Sequence, residues 1–137
     1  ERISQGLATS EEVELLGQLA EDVVEGSLCA LGGSAPNPVL STLRYFRDEV
    51  LAHVVDRRCP AKVCRPLISY SIDEEACTGC RACAVACPVN AISGERDEPH
   101  LIDQELCTKC DSCRQACKYD AVRVETGAVA LAEGRRR

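Results

Sequence analysis

The sequence contains no methionine and no tryptophan, and only three tyrosines and one phenylalanine among its 137 residues. Without methionine, Glu1 is not an initiator residue, so the chain reads as a fragment or a processed product. So few large side chains build only a small core, and something else must staple the fold. Long apolar runs are absent too: no window approaches the roughly 18 residues of a membrane span. The opening ERISQGLATSEEVE has no apolar segment of the kind a secretory signal needs. A soluble, cytoplasmic protein is therefore expected, in a compartment that keeps thiols reduced. Positive charge is in deficit. The formal net charge is −6, which argues against nucleic acid as a partner. The imbalance is strongest from Ile72 to Glu125, with 11 acidic against 6 basic residues. No nucleophile–base pair is evident, and GGSAP is too weak a match for a phosphate loop.

Cysteine, by contrast, occurs 11 times. Eight of the 11 fall in two matching runs, CTGCRACAVACPVNA from Cys77 and CTKCDSCRQACKYDA from Cys107. The surrounding segments also repeat: IDEEACTGCRACAVACPVNAI aligns with IDQELCTKCDSCRQACKYDAV at about half of its positions. Each unit reads as a short strand, a cysteine loop, one or two helical turns and a closing strand. Neither unit can bury a face alone, so the two are expected to pack as a pseudo-symmetric pair. Three thiols at i, i+3 and i+6 converge on one inorganic cluster, and a fourth follows after three residues. This C-x2-C-x2-C-x3-C spacing is that of bacterial-type ferredoxins, in which the fourth cysteine ligates the other cluster. The expected ligand sets are Cys77, Cys80, Cys83 and Cys117 for one [4Fe–4S] cluster, and Cys107, Cys110, Cys113 and Cys87 for the second. Two zinc knuckles, or free core thiols, are the alternative. Pro88 follows Cys87 as the pattern requires, whereas Lys118 stands after Cys117 and brings a positive charge. The acidic surroundings favour the oxidised clusters and lower their potentials.

Upstream of the repeat the pattern is helical. Thr9 or Ser10 caps a helix, with Glu12 placed for a capping box. Val13, Leu16, Ala20 and Val23 share one face, widened by Leu15 and Leu19, and Leu31-Gly32-Gly33 signals the stop. Asn37 is the expected N-cap of a second helix with Pro38 at its first position. Val39, Leu43, Phe46, Val50 and Val54 form its stripe. Two such helices make a hairpin or part of a bundle. DRRCPAKVCRP, residues 56–66, reads as a linker, and Leu67–Ile72 alternates as an edge strand does. The expected class is α+β: a helical segment over 1–55, the linker over 56–66, a two-cluster ferredoxin-like domain over 67–126 and a solvated basic tail over 127–137.

Three cysteines lie outside the repeat. Cys59 and Cys64 are free linker thiols, a disulfide, which a reducing cytoplasm disfavours, or ligands of a structural zinc, with His53 and His100 completing a Cys2His2 set. Such a site pins the linker against the ferredoxin-like domain. Cys29, near a helix end, reads on its own as a buried apolar residue.

GSLCALG followed by APNPVLSTLRYFRDE resembles the cluster-bearing helical bundle of the NADH-oxidising flavoprotein subunit of respiratory complex I. That resemblance implies that Cys29 is the fourth ligand of a further [4Fe–4S] cluster whose other three ligands lie outside this chain. HVVDRRCPAKVCR, CTGC…CPVNAI and CTKC…CKYDAV extend the likeness to the β subunits of NAD-dependent, electron-bifurcating [FeFe] hydrogenases and related formate dehydrogenases. The likeness runs to about Glu125. It implies the C-terminal part of such a subunit, with FMN and NAD bound elsewhere in the parent. The implied partners are a thioredoxin-like [2Fe–2S] subunit, a hydrogenase or formate dehydrogenase catalytic subunit, and ferredoxin. The ferredoxin-like arm would then be a relay, mobile about residues 56–66. A stand-alone two-cluster ferredoxin carrier and a zinc-stabilised interaction module are the rival readings.

Overall fold

The computed structural model describes residues 1–127, so all of the expected basic tail beyond Gly127 lies outside the described residues. Helix α1 spans Ser10–Gly26 and starts as its sequence dictates. The Thr9 hydroxyl accepts from the Glu12 amide at 3.3 Å, and the Glu12 carboxylate accepts from the Thr9 amide at 2.9 Å. Two backbone donors that the helix cannot satisfy are thereby paired. Of the expected face only Val13 and Ala20 are buried; Leu16 and Val23 are exposed, as are Leu15 and Leu19.

The helical half differs from the sequence expectation at three points. First, α1 ends at Gly26, before Leu31-Gly32-Gly33, and those three residues sit inside a separate short helix, α2, Ala30–Ser34. Gly32 sits inside α2 rather than ending a helix, and it lies close to Ser27: a Cβ there would be 2.7 Å from the Ser27 hydroxyl oxygen and 3.1 Å from its Cβ. Second, Asn37 is not an N-cap. It is the first residue of α3, Asn37–Tyr45, and Pro36 holds the capping position with no side-chain bond. Third, the stripe from Val39 to Val54 belongs to two helices. Phe46, at φ −124° and ψ 28°, separates α3 from α4, Arg47–Val54. The break turns Phe46 outward, whereas Val50 and Val54 reach a small core with Ala8 and Val13, flanked by Ile3 and Leu43.

The C-terminal half is built twice. A 3-10 turn, Arg65–Leu67, leads into β1, Ile68–Ile72; α5 spans Ala82–Ala86 and β2 Ile92–Ser93. The second unit runs β3, Leu101–Ile102; α6, Ser112–Ala116; β4, Val122–Thr126. The strands pair across the units: β1 is antiparallel to β4 and β2 to β3. The first strand of each unit thus meets the last strand of the other. Two further bonds interlock the halves, Asp73 N–H to the Ala121 carbonyl at 2.8 Å and Asp103 N–H to the Ala91 carbonyl at 2.7 Å. The pseudo-symmetric pair expected from the repeat is present. β1 does not alternate as expected: Ile68, Ser69 and Tyr70 are all buried, with Ile68 and Tyr70 in one core with Cys59 of the linker, Cys83 and Cys113 of the cysteine runs and Val122. Thr126 ties the linker to this strand pair. Its hydroxyl accepts from the Cys59 amide and donates to the Leu67 carbonyl, each at 2.8 Å.

Candidate metal centres

The cysteine loops start from matching turns. Asp73 accepts through its Oδ1 from Glu75 N–H at 3.1 Å and Ala76 N–H at 3.4 Å. Asp103 does the same with Glu105 at 2.9 Å and Leu106 at 3.4 Å. Such turns fix the strand-to-loop corner locally. The backbone that follows repeats a left-handed pattern: Gly79 and Arg81 in the first loop, Lys109 and Asp111 in the second, then Asn90 and Asp120 after the helices, all at positive φ. Left-handed residues among right-handed ones turn successive N–H groups inward, into the concavity that anionic iron–sulfur groups occupy.

Gly79 is required for more than its φ of 68°, since Lys109 adopts φ 56° at the equivalent place with a full side chain. A Cβ on Gly79 would collide with the backbone of Asp97 and Glu98, a turn that crosses only the first loop. Gly79→Ala is therefore expected to destabilise the protein by about 2 kcal/mol or more, read as a lowered denaturant midpoint. Lys109→Ala should leave the stability within about 0.5 kcal/mol of its original value.

Around these loops lie two small cavities of matching size. One is bordered by Cys77, Cys80, Cys83 and Cys117, the other by Cys107, Cys110, Cys113 and Cys87. The fourth thiol of each run therefore crosses to the cavity of the other unit. Short helices α5 and α6 carry the chain across: Cys83 and Cys113 sit within them and Cys87 and Cys117 follow at their ends. The crossing thiols are held alike, with Ala91 N–H donating to Cys87 Sγ at 3.3 Å and Ala121 N–H to Cys117 Sγ at 3.4 Å.

Burial pushes the Cys113 thiol up to about 11, and the Cys83 thiol in the same direction. A thiolate at either place needs a compensating cation, which a bound metal provides. The Cys110 thiol is exposed and lowered by the Ser112 hydroxyl and amide. Beside the second cavity the Tyr70 hydroxyl donates to Asp111 Oδ1 at 2.8 Å, and Arg114 donates to both Asp111 oxygens at 2.7 and 2.8 Å. The guanidinium holds the Asp111 carboxyl down at about 2, and burial with the Asp111 contact holds the Tyr70 phenol well above its ordinary range.

A third group of donors forms at the linker. One ligand atom from each of His53, Cys59 and Cys64 lies within 4.8 Å of the others. Cys64 Sγ stands 3.4 Å from His53 Nε2, and His53 Nδ1 is 2.7 Å from the Glu49 carbonyl, which fixes the ring and leaves Nε2 facing the thiol. Burial raises the Cys59 thiol, but N–H donors from Cys64 and Val63 outweigh it and bring it to about 7. His100, expected here from the sequence, is elsewhere. It borders the cavity of Cys77, Cys80, Cys83 and Cys117, fully buried, with neither ring nitrogen partnered. The signal that separates the two histidines is the repeat register, which sets His100 opposite Tyr70. Cys29 is exposed at the start of α2, between the exposed Leu28 and Leu31. It is not the buried apolar residue that its isolated sequence context suggests.

These arrangements have relatives. Residues 1–53 match the NADH-ubiquinone oxidoreductase-F iron-sulfur binding region. Residues 70–93 and 100–123 each match the 4Fe-4S binding domain. The NADP-reducing hydrogenase subunit HndC of Solidesulfovibrio fructosivorans is 45% identical over 100 residues, covering 73% of this chain and 20% of that protein. The F subunit of the Mycobacterium bovis NADH-quinone oxidoreductase is 40% identical over 60 residues, 44% of this chain and 14% of that one. The B subunit of the ion-translocating oxidoreductase complex of Magnetococcus marinus is 36% identical over 87 residues, 61% of this chain and 42% of that one. The chain thus spans about a fifth of the length of HndC. Among the described residues no helix is long and apolar enough to cross a membrane. The chain joins a segment similar to the oxidoreductase-F iron–sulfur binding region to two segments similar to 4Fe-4S binding domains, and it resembles part of oxidoreductase and hydrogenase subunits.

Proposed function

We propose that this segment relays single electrons within a multi-subunit, NADH-dependent oxidoreductase, between a flavin and nicotinamide module and a ferredoxin-linked partner. One observation carries the reading: two equal cavities, each ringed by four thiols, with the fourth thiol exchanged between the repeats. The residues fit a [4Fe–4S] group at each place. Four sulfur donors, inward-turned N–H groups and walls of Ile72, Ala121 and Val122 or of Tyr70, Ile92 and Ile102 suit an anionic, sulfur-bridged group better than a bare cation. Cys77, Cys80, Cys83 and Cys117 hold the first, and Cys107, Cys110, Cys113 and Cys87 the second. Bound there, the clusters supply one-electron transfer with little change of geometry. The chain's own residues do the rest. The thiolates fix position, Ala91 and Ala121 N–H groups stabilise the crossing sulfurs, and the apolar walls exclude water.

Cys29 serves as the fourth ligand of a further cluster completed by cysteines of the parent protein. The exposed Leu28 and Leu31, next to it along the chain, supply apolar surface for that neighbour. His53, Cys59 and Cys64 hold a structural zinc that ties the linker, residues 56–66, to the sheet through Cys59 and Thr126. The domain divisions at 1–55, 56–66 and 67–126 follow from this, with the last as a ferredoxin-like arm. FMN and NAD belong to the parent protein. The partners are a thioredoxin-like [2Fe–2S] subunit, ferredoxin, and a hydrogenase or formate dehydrogenase catalytic subunit. The resemblance to HndC favours the hydrogenase, with electron bifurcation as its expected mode.

The test is a reductive titration of the anaerobically purified chain, followed by electron paramagnetic resonance. Uptake of one electron per cluster, about two per chain, with fast-relaxing signals of reduced [4Fe–4S] centres is the expected result. No uptake from a chain that is folded and metal-loaded would end the electron-relay reading in favour of a zinc-stabilised interaction module.

A further inference from the structure

The first cavity carries a polar side chain that thiolate binding does not use. His100 is 0% exposed, and both Nδ1 and Nε2 are buried without a partner. It borders the cavity of Cys77, Cys80, Cys83 and Cys117. Its seat is close-fitting: a Cβ on Gly94 would fall 2.9 Å from His100 Cγ and 3.0 Å from its Cα. The other unit provides the comparison. Aligning Ile72-Asp73 with Ile102-Asp103 sets Tyr70 against His100, and Tyr70 borders the second cavity. The Tyr70 hydroxyl is already committed, donating to Asp111. One half therefore satisfies its aromatic polar group within the protein, and the other presents an imidazole with nothing. An imidazole carries at least one N–H in every protonation state. Buried donors are rarely left unpaired, and the space His100 borders is the one the four thiols enclose.

We propose that His100 is a potential-setting residue that donates a ring N–H to sulfur of the cluster held by Cys77, Cys80, Cys83 and Cys117. The inference rests on the cluster reading above. A hydrogen bond to sulfur stabilises the reduced, more negative state, and such bonds with burial are the protein's means of tuning these centres. The second cluster, beside Tyr70, receives no equivalent donor from that position. His100 therefore makes two otherwise matching centres unequal, so that the first is the easier to reduce, and gives the relay a direction.

The test compares the full chain with His100→Phe, which keeps an aromatic ring and removes both nitrogens, and with His100→Gln, which restores an N–H donor. Midpoint potentials of both clusters are read by titration with paramagnetic resonance detection. The expected result is a lower potential for one cluster in His100→Phe, no change in the other, and recovery in His100→Gln. Wild-type protein labelled with nitrogen-15 in histidine should also show a nitrogen coupling to one reduced cluster that persists in His53→Ala. Unchanged potentials in His100→Phe with both clusters assembled would overturn the proposal, and so would the absence of any histidine coupling in the wild type. The labelling experiment decides the matter even if His100→Phe fails to assemble. A chain that binds no iron or sulfide defeats the cluster reading itself, whereas two clusters of unaltered potential defeat only this inference.

Discussion

Cys87→Ser is expected to abolish or convert the cluster of the second run, Cys107, Cys110 and Cys113, and to leave intact the one nearest it in sequence. Cys117→Ser should do the reverse. The reason is geometric: Cys87 borders the cavity of the second run and Cys117 that of the first. Each single variant removes one of four thiolates from one centre and none from the other, so about half of the reduced-cluster signal should go. Pairwise combination sharpens the result. Residues that act on one centre are non-additive, and residues on different centres add. Cys87→Ser with Cys110→Ser should lose no more signal than either alone, whereas Cys87→Ser with Cys80→Ser should lose nearly all of it. The opposite pattern, with Cys87 and Cys80 behaving as one unit, would show that each run binds its own metal.

Removing the metal is the second large effect. The core of the C-terminal half combines Cys59, Cys83 and Cys113 with Leu67, Ile68, Tyr70 and Val122, so thiols stand where another domain of this size places large apolar side chains. The sheets are two-stranded, with five residue pairs between β1 and β4 and two between β2 and β3. A two-stranded sheet is marginal in water, and a domain of roughly 60 residues has little core to spare. Four thiols gathered at each cavity supply that missing core only through what they bind, so metal binding and folding are one equilibrium. Chelation should therefore strip amide-exchange protection from 68–72 and 122–126. α1 should change far less, because its capping box and the contact of Val13 with Val50 and Val54 do not involve the cavities. Retained protection in β1 and β4 after complete loss of iron would show that the fold stands without metal.

The chemistry of this chain is more legible in its sequence than the course of its helices. Thiol spacing is a covalent fact, and the repeat fixes which turns, strands and left-handed residues recur; the exchange of Cys87 and Cys117 between cavities follows from it. The Thr9–Glu12 box is likewise local, and it forms as expected. The break at Phe46 is not legible. No glycine or proline marks it, and the apolar spacing from Val39 to Val54 suits one long helix; it is set by packing of Val50 and Val54 against Ala8 and Val13. Leu31-Gly32-Gly33 misleads for a related reason. Glycine serves both to stop a helix and to admit a close neighbour, and only the position of Ser27 decides between the two. Counting available histidines brings His100 to the linker, whereas aligning the two repeats sets it at the position of Tyr70, beside the first cavity.

Everything the segment does depends on what the eight thiols of the repeat hold. Iron, zinc and acid-labile sulfide measured together in one anaerobically purified sample address that directly. Iron and sulfide in equal amounts, about eight of each per chain for two cubes, is the predicted result. Zinc bound in place of iron, without inorganic sulfide, would contradict it.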